Sequence, residues 1–215
     1  MVPDSNVKLY KVIGLSYIDH ILAIGIFVCT FDFRGCGVSE SSSISFGANE
    51  KYDIHAVIEQ LVEMGMNKIM LWGRSMGAVA SLKYIELWSN FFEFHTYRGI
   101  NIEIVGCILD SPFSSLKQII LEIGRSKSRF PKIAISAGYH LIKGTLEKKG
   151  GFEIADLELV ESVKNIRYEI PMIFLASKQD STISYKHSEL LYEHYHCKDK
   201  RLIYINGMHN ESRDQ

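Results

Sequence analysis

The sequence predicts an α/β fold, a mostly parallel sheet with helices on both faces and a helical cap, built on a single domain over residues 1–215. Three observations predict it. Short, continuous apolar runs alternate with amphipathic stretches of helical period, the pattern of a parallel sheet whose strands are buried on both sides. A chain of 215 residues with 47% hydrophobic and 11% aromatic residues suits one core of ordinary domain size. Chemically active residues recur just past the apolar runs, where open parallel sheets collect function.

The elements follow in order. GIFVCTFDF (Gly25 to Phe33) is β-branched and aromatic, and predicts a strand that ends in the turn RGCG. Asn49 to Met66 carries Ile54, Val57, Ile58, Leu61, Val62 and Met64 at mostly helical spacing, with Asn49 as its cap. KIMLW (Lys68 to Trp72) predicts a short buried strand and Gly77 to Trp88 a helix. Ile102 to Asp110 predicts a strand closed by Ser111-Pro112. The stretch to Ile170 is far longer than an ordinary connection, and is broken by Pro131 and Gly150-Gly151. It predicts a cap-like insertion at about 114–168. Ile119, Ile120, Ile133, Ile135, Tyr139 and Leu141 either line an apolar pocket there or pack the cap onto the sheet. Ile170 to Ser177, Ser184 to His196 and Arg201 to Gly207 complete the pattern as strand, helix and strand.

Composition narrows the function. Lys+Arg number 24 and Asp+Glu 25, which gives no electrostatic reason to expect nucleic acid or an acidic membrane surface as partner. Cys29, Cys36, Cys107 and Cys197 lack zinc-type spacing and read as reduced, mostly buried thiols of a cytoplasmic protein. MVPDSNVKLY lacks the pattern of a signal peptide, and the apolar run from Ile21 to Cys29 is too short to span a bilayer. His187, His194 and His196 form no recognisable metal set. Lys143, Lys148 and Lys149 read as a solvated face, and Arg34 and Cys36 as residues that brace the turn after a strand.

Ser75 lies in Gly73-Arg74-Ser75-Met76-Gly77, between a strand and a helix. A serine hydroxyl is a poor nucleophile until a base takes its proton, and imidazole has the pKa for that task. A carboxylate must hold the other ring nitrogen and stabilise the cation that forms. Asp180 follows one predicted strand and His209 the last, giving the order Ser, Asp, His. Asp110 also ends a strand and is the rival acid. The tight turn strains the backbone at Ser75, which gives Gly73 and Gly77 a steric reason.

FDFRGCGVSE (Phe31 to Glu40), LWGRSMGAVA (Leu71 to Ala80), ILDSPFSSL (Ile108 to Leu116), ASKQDSTIS (Ala176 to Ser184) and NGMHNES (Asn206 to Ser212) together resemble the α/β-hydrolases, in particular the serine aminopeptidase, esterase and thioesterase group. The resemblance runs from about Gly14 to the C-terminus. It implies Ser75 as nucleophile, Asp180 as acid, His209 as base and the Met76 N–H as one oxyanion donor, acting on a small-molecule ester, thioester or peptide without cofactor or metal. Members of this family carry further strands at the start, the third followed by a His-Gly loop that supplies the second donor. No His-Gly pair precedes Gly25. VKLYKVIG (Val7 to Gly14) is then either a substitute strand, with Gly14 or Leu15 giving that donor, or the unrelated start of an N-terminally shortened chain. Loss of one oxyanion donor costs ~10²–10³ in rate. The alternative to a hydrolase is therefore a weakly active or inactive protein of the same fold that binds a small ligand.

Overall fold

The computed structural model describes residues 18–127 and 132–211, with side chains described from 21 to 125 and from 134 onward. Val7 to Gly14, Leu15, Pro131 and the Ile133 side chain lie outside the described residues. The elements in chain order are α1 (Ile18–Ala23), α2 (Glu50–Glu63), β1 (Lys68–Arg74), α3 (Met76–Asn90), β2 (Thr96–Tyr97), β3 (Ile100–Asn101), β4 (Glu103–Asp110), α4 (Leu116–Lys127), α5 (Lys132–Gly150), α6 (Leu159–Asn165), β5 (Met172–Ala176), α7 (Tyr185–His194) and β6 (Lys200–Tyr204).

Among the described residues the main sheet has four strands in the order β1-β4-β5-β6, and every pair in it is parallel. All four strands therefore end on the same side, and the side chains that follow β1, β5 and β6 share one rim. Ile69, Ile104, Met172 and Phe174 are buried, Phe174 against Tyr192 of α7. Met70, Trp72 and Ile203, on the opposite face, remain more than two-fifths exposed. Helix α3 packs on β1 and β4, α7 packs on β5 and β6, and α6 lies between α3 and α7. The run Ala78–Ile85 of α3 is buried throughout, Ser81 and Lys83 included. β2 and β3 form a two-residue hairpin. Its turn, Arg98-Gly99, has positive φ at both positions, the twist that such a tight loop requires.

Three local expectations need correction. Residues 26–33 form no strand, and Ile26, Phe27 and Phe31 are exposed. β-propensity supplies a fit to a pleated surface, and the ladder itself needs a neighbour; among the described residues none pairs with this run. Asn49 stands at the start of α2 but makes no side-chain cap, and its amide donates instead to the Gly150 carbonyl at 3.0 Å. The loop before α2 is organised by the buried Glu50 carboxylate, which accepts from Ser45 N–H, Ser45 O–H and Gly47 N–H. The apolar cap residues also part company. Ile119 and Tyr139 join the core, Ile135 packs on Gly124, and Leu141 is 79% exposed.

The brace expected after residue 33 is present. Arg34 places its Nε and Nη2 on Asp53 Oδ1 of α2, at 2.8 and 2.6 Å, and its backbone N–H on Oδ2 at 3.0 Å. Lys143 faces Glu147 one turn along α5. Cys107 and Cys197 are buried, Cys36 is half-buried and Cys29 is exposed, so only two of the four thiols are interior.

Candidate active site

The site begins with the turn between β1 and α3. Ser75 has φ 52° and ψ −119°, a conformation that costs a residue with a Cβ about 1–3 kcal/mol and persists only where its surroundings enforce it. Two contacts enforce it here. The Ser75 N–H donates to the Asp110 carbonyl of β4 at 2.8 Å, and the Ser75 carbonyl accepts the first helical hydrogen bond of α3 from Val79 N–H at 3.1 Å. A Cβ at Gly73 would meet the Gly77 carbonyl oxygen at 2.1 Å, so that position admits only glycine. A Cβ at Gly77 would meet only the Phe33 ring, at 3.9 Å, which is an ordinary contact. The steric demand therefore falls on one of the two flanking glycines and not on both. The Met76 N–H belongs to the first turn of α3, where backbone donors lack helical acceptors and the helix dipole favours negative charge.

Asp180 is positioned by the loop after β5. Its Oδ1 accepts from the N–H groups of Thr182 and Ile183, both at 2.9 Å, and its Oδ2 lies 2.7 Å from His209 Nδ1. Burial pushes this carboxyl up, but the hydrogen bonds from His209, Ile183 and Thr182 outweigh it and hold its pKa below the ordinary aspartate value. The two loops are laced together. Ser177 O–H donates to the Gly207 carbonyl at 2.7 Å, and Gly207 N–H donates to Gln179 Oε1 at 2.9 Å.

With Nδ1–H donated to Asp180, His209 presents Nε2 as an acceptor to the Ser75 hydroxyl at 3.0 Å. Serine, imidazole and carboxylate, each just past a different strand, thus form one continuous hydrogen-bond path. Asp110 takes no part in it, since its carboxylate faces the Arg74 guanidinium and the Ser111 hydroxyl. Leu15 lies outside the described residues. Sequence reasoning missed Arg74, Ser177 and Gln179. Each lies inside or beside a motif stretch, but the role of each depends on which loops the fold brings together.

A second serine–histidine–carboxylate path lies between α4 and α7. His187, on α7, sets Nδ1 2.7 Å from Ser114 Oγ and Nε2 3.1 Å from Glu122 Oε2 of α4. Both Ser114 and His187 are buried. A cavity of about 640 Å³, lined by Lys51, Lys83, Glu86 and Arg167 among others, lies along the C-terminal half of α3, at the far end of that helix from Ser75.

The chain is 27% identical over 201 residues to YqkD of Bacillus subtilis, described as an uncharacterised protein, and the match covers 91% of this chain. It spans 60% of that relative's length. No protein-family profile matches the sequence. Among solved structures, it superposes on the esterase Pf2001 of Pyrococcus furiosus with a TM-score of 0.62 and 20% identity, over 90% of this chain and 66% of the other. The monoacylglycerol lipase of Paleococcus ferrophilus gives 0.61 and 19%, over 92% and 80%. The esterase EaEST of Exiguobacterium antarcticum gives 0.57 and 14%, over 92% and 80%. Sheet order, crossovers and these superpositions establish that the chain has the α/β-hydrolase fold. No helix among the described residues is long and apolar enough to cross a membrane.

Proposed function

We propose that the protein is a serine hydrolase that cleaves a small carboxylic ester, thioester or amide through Ser75, His209 and Asp180. One observation carries this reading, the unbroken path Ser75 Oγ–His209 Nε2–His209 Nδ1–Asp180 Oδ2, at 3.0 and 2.7 Å. His209 takes the Ser75 proton as Oγ attacks the carbonyl carbon, and the Met76 N–H receives the oxyanion together with a second donor. The imidazolium, stabilised by Asp180, returns the proton to the leaving group. Water activated by the same imidazole then releases the acid from the acyl-enzyme. An ester is the favoured substrate within this class, because two of the superposed structures are described as esterases and one as a monoacylglycerol lipase. The free thiols, Cys29 exposed among them, support a reducing, cytoplasmic setting.

A fluorophosphonate probe tests the proposal. Wild-type protein is expected to be labelled at Ser75 and to hydrolyse p-nitrophenyl acetate, and Ser75→Ala to do neither while keeping its fold. Folded wild-type protein that resists labelling would instead favour a ligand binder of the same fold.

A further inference from the structure

Arg74, the second residue of the elbow, takes no part in the proton path yet touches both sides of it. It ends β1, in register with Asp110 at the end of β4. Its Nε lies 3.5 Å from Asp110 Oδ2, and the two side chains are only 13% and 5% exposed. The far edge of the guanidinium faces the loop after β6. Nη1 donates to the Glu211 carbonyl at 3.1 Å, and Nη2 donates to the carbonyls of Met208, at 3.4 Å, and of His209. The Asp110 main chain, for its part, holds Ser75 through the Ser75 N–H bond at 2.8 Å.

We propose that Arg74 is a positioning residue, which fixes the loop carrying His209 to the strand end carrying Ser75 by binding the main-chain carbonyls of residues 208, 209 and 211, with Asp110 as its anchor. The proposal rests on the reading of Ser75, His209 and Asp180 as the reacting site. Asp180 orients the imidazole ring, and the Ser177 and Gln179 contacts hold the loop where it enters, at Gly207. Arg74 grips the loop on both sides of the histidine, at residues 208, 209 and 211, and ties it to the end of β1 beside Ser75. Met208, Asn210 and Glu211 are exposed, so the loop has little burial of its own to hold it there. Guanidinium suits this position. It is planar and permanently charged, and its five donors let it satisfy several carbonyls with one edge while the other faces a carboxylate; an ammonium offers a single point of charge.

The test compares wild type with Arg74→Lys, Arg74→Met and the double variant Arg74→Met/Asp110→Leu. Removing one partner of a buried ion pair strands the other. The double variant removes both charges and keeps the question open if the single variant fails to fold. Expected in the folded double variant is a fall in kcat on p-nitrophenyl acetate of about 100-fold, the scale of a reacting group displaced by about 1 Å, with KM little changed. Fluorophosphonate labelling slows in parallel. Histidine ¹⁵N NMR shows His209 passing from one fixed tautomer to an average of two. Arg74→Lys, which retains the charge opposite Asp110, shows a smaller loss of kcat.

Wild-type kcat and a fixed His209 tautomer in the folded double variant would overturn the proposal and leave Arg74 as a counter-ion for Asp110 alone. The two readings fail separately. Wild-type protein without labelling or turnover overturns the hydrolase reading, and a tautomer lost only in the variants still upholds the positioning role.

Discussion

Among the described residues, two serine–histidine–carboxylate paths occur, and their surroundings differ. Ser75, His209 and Asp180 meet past the ends of β1, β6 and β5; Ser114, His187 and Glu122 meet between α4 and α7. Their distances are alike, 3.0 and 2.7 Å in the first and 2.7 and 3.1 Å in the second. Ser75, however, is half-exposed on a turn with positive φ, at the head of a helix whose first N–H groups lack helical acceptors. Ser114 is 1% exposed and carries no such backbone strain. The acids differ as well. The Asp180 side chain is buried and receives two main-chain N–H bonds, whereas the Glu122 side chain is 43% exposed. Hydrogen-bond distance alone therefore does not define a nucleophile. Access, backbone strain and neighbouring N–H groups without helical acceptors separate Ser75, the serine proposed as nucleophile, from one that joins two helices.

The largest expected effects test that contrast directly. Asp180→Asn removes the acceptor that fixes the His209 tautomer and is expected to lower kcat by about 10⁴-fold, while Glu122→Gln leaves kcat near wild type. Equal losses in the two variants would erase the distinction between the paths. Ser75→Ala is expected to lower kcat by at least about 10³-fold with its thermal midpoint nearly unchanged. Ser114→Ala reverses the pattern. It removes the hydroxyl from the buried His187 Nδ1, which keeps the Ser114 N–H at 3.3 Å, and is expected to cost about 1 kcal/mol of stability, read by denaturant unfolding, with kcat retained. A Ser114→Ala protein of full stability would show the second path to be dispensable to the fold.

The smallest expected effect is in the pH dependence of stability. The folded Asp180 pKa lies below its unfolded value of about 3.9, so the native state gains stability from this group above that value and loses it as pH falls through the folded pKa. Thermal melts at neutral pH and near pH 3 are expected to differ more for wild type than for Asp180→Asn. Identical differences would remove Asp180 from the acid sensitivity of the fold.

Much of this was legible in the residues. Lys68–Trp72, Ile102–Asp110 and Ile170–Ser177 read as strands because each is apolar, short and closed by turn chemistry, and each became one, with shifts of one or two residues at the ends. The run from Gly25 to Phe33 has the same composition and did not form a strand. A ladder takes two strands, and the composition of one says nothing of whether a neighbour lies beside it. Asp110 read as the rival of Asp180 because both end a strand, and the partner that occupies Asp110, Arg74, became visible only once β1 and β4 lay side by side. Gly77 read as a steric necessity equal to Gly73, because a motif gives spacing and not the direction in which a Cβ would point.

The sequence by itself determined the alternation of strand and helix, the strained turn at Ser75, and the order in which serine, aspartate and histidine follow their strands, since these depend on periodicity and local backbone chemistry. Only the tertiary structure decided which histidine faces which serine, which carboxylate is held by main-chain N–H groups, and that the arginine beside Ser75 binds carbonyls of the loop carrying His209. Those contacts join residues far apart in the chain, and their geometry is set by how the parallel strands pack and where they end.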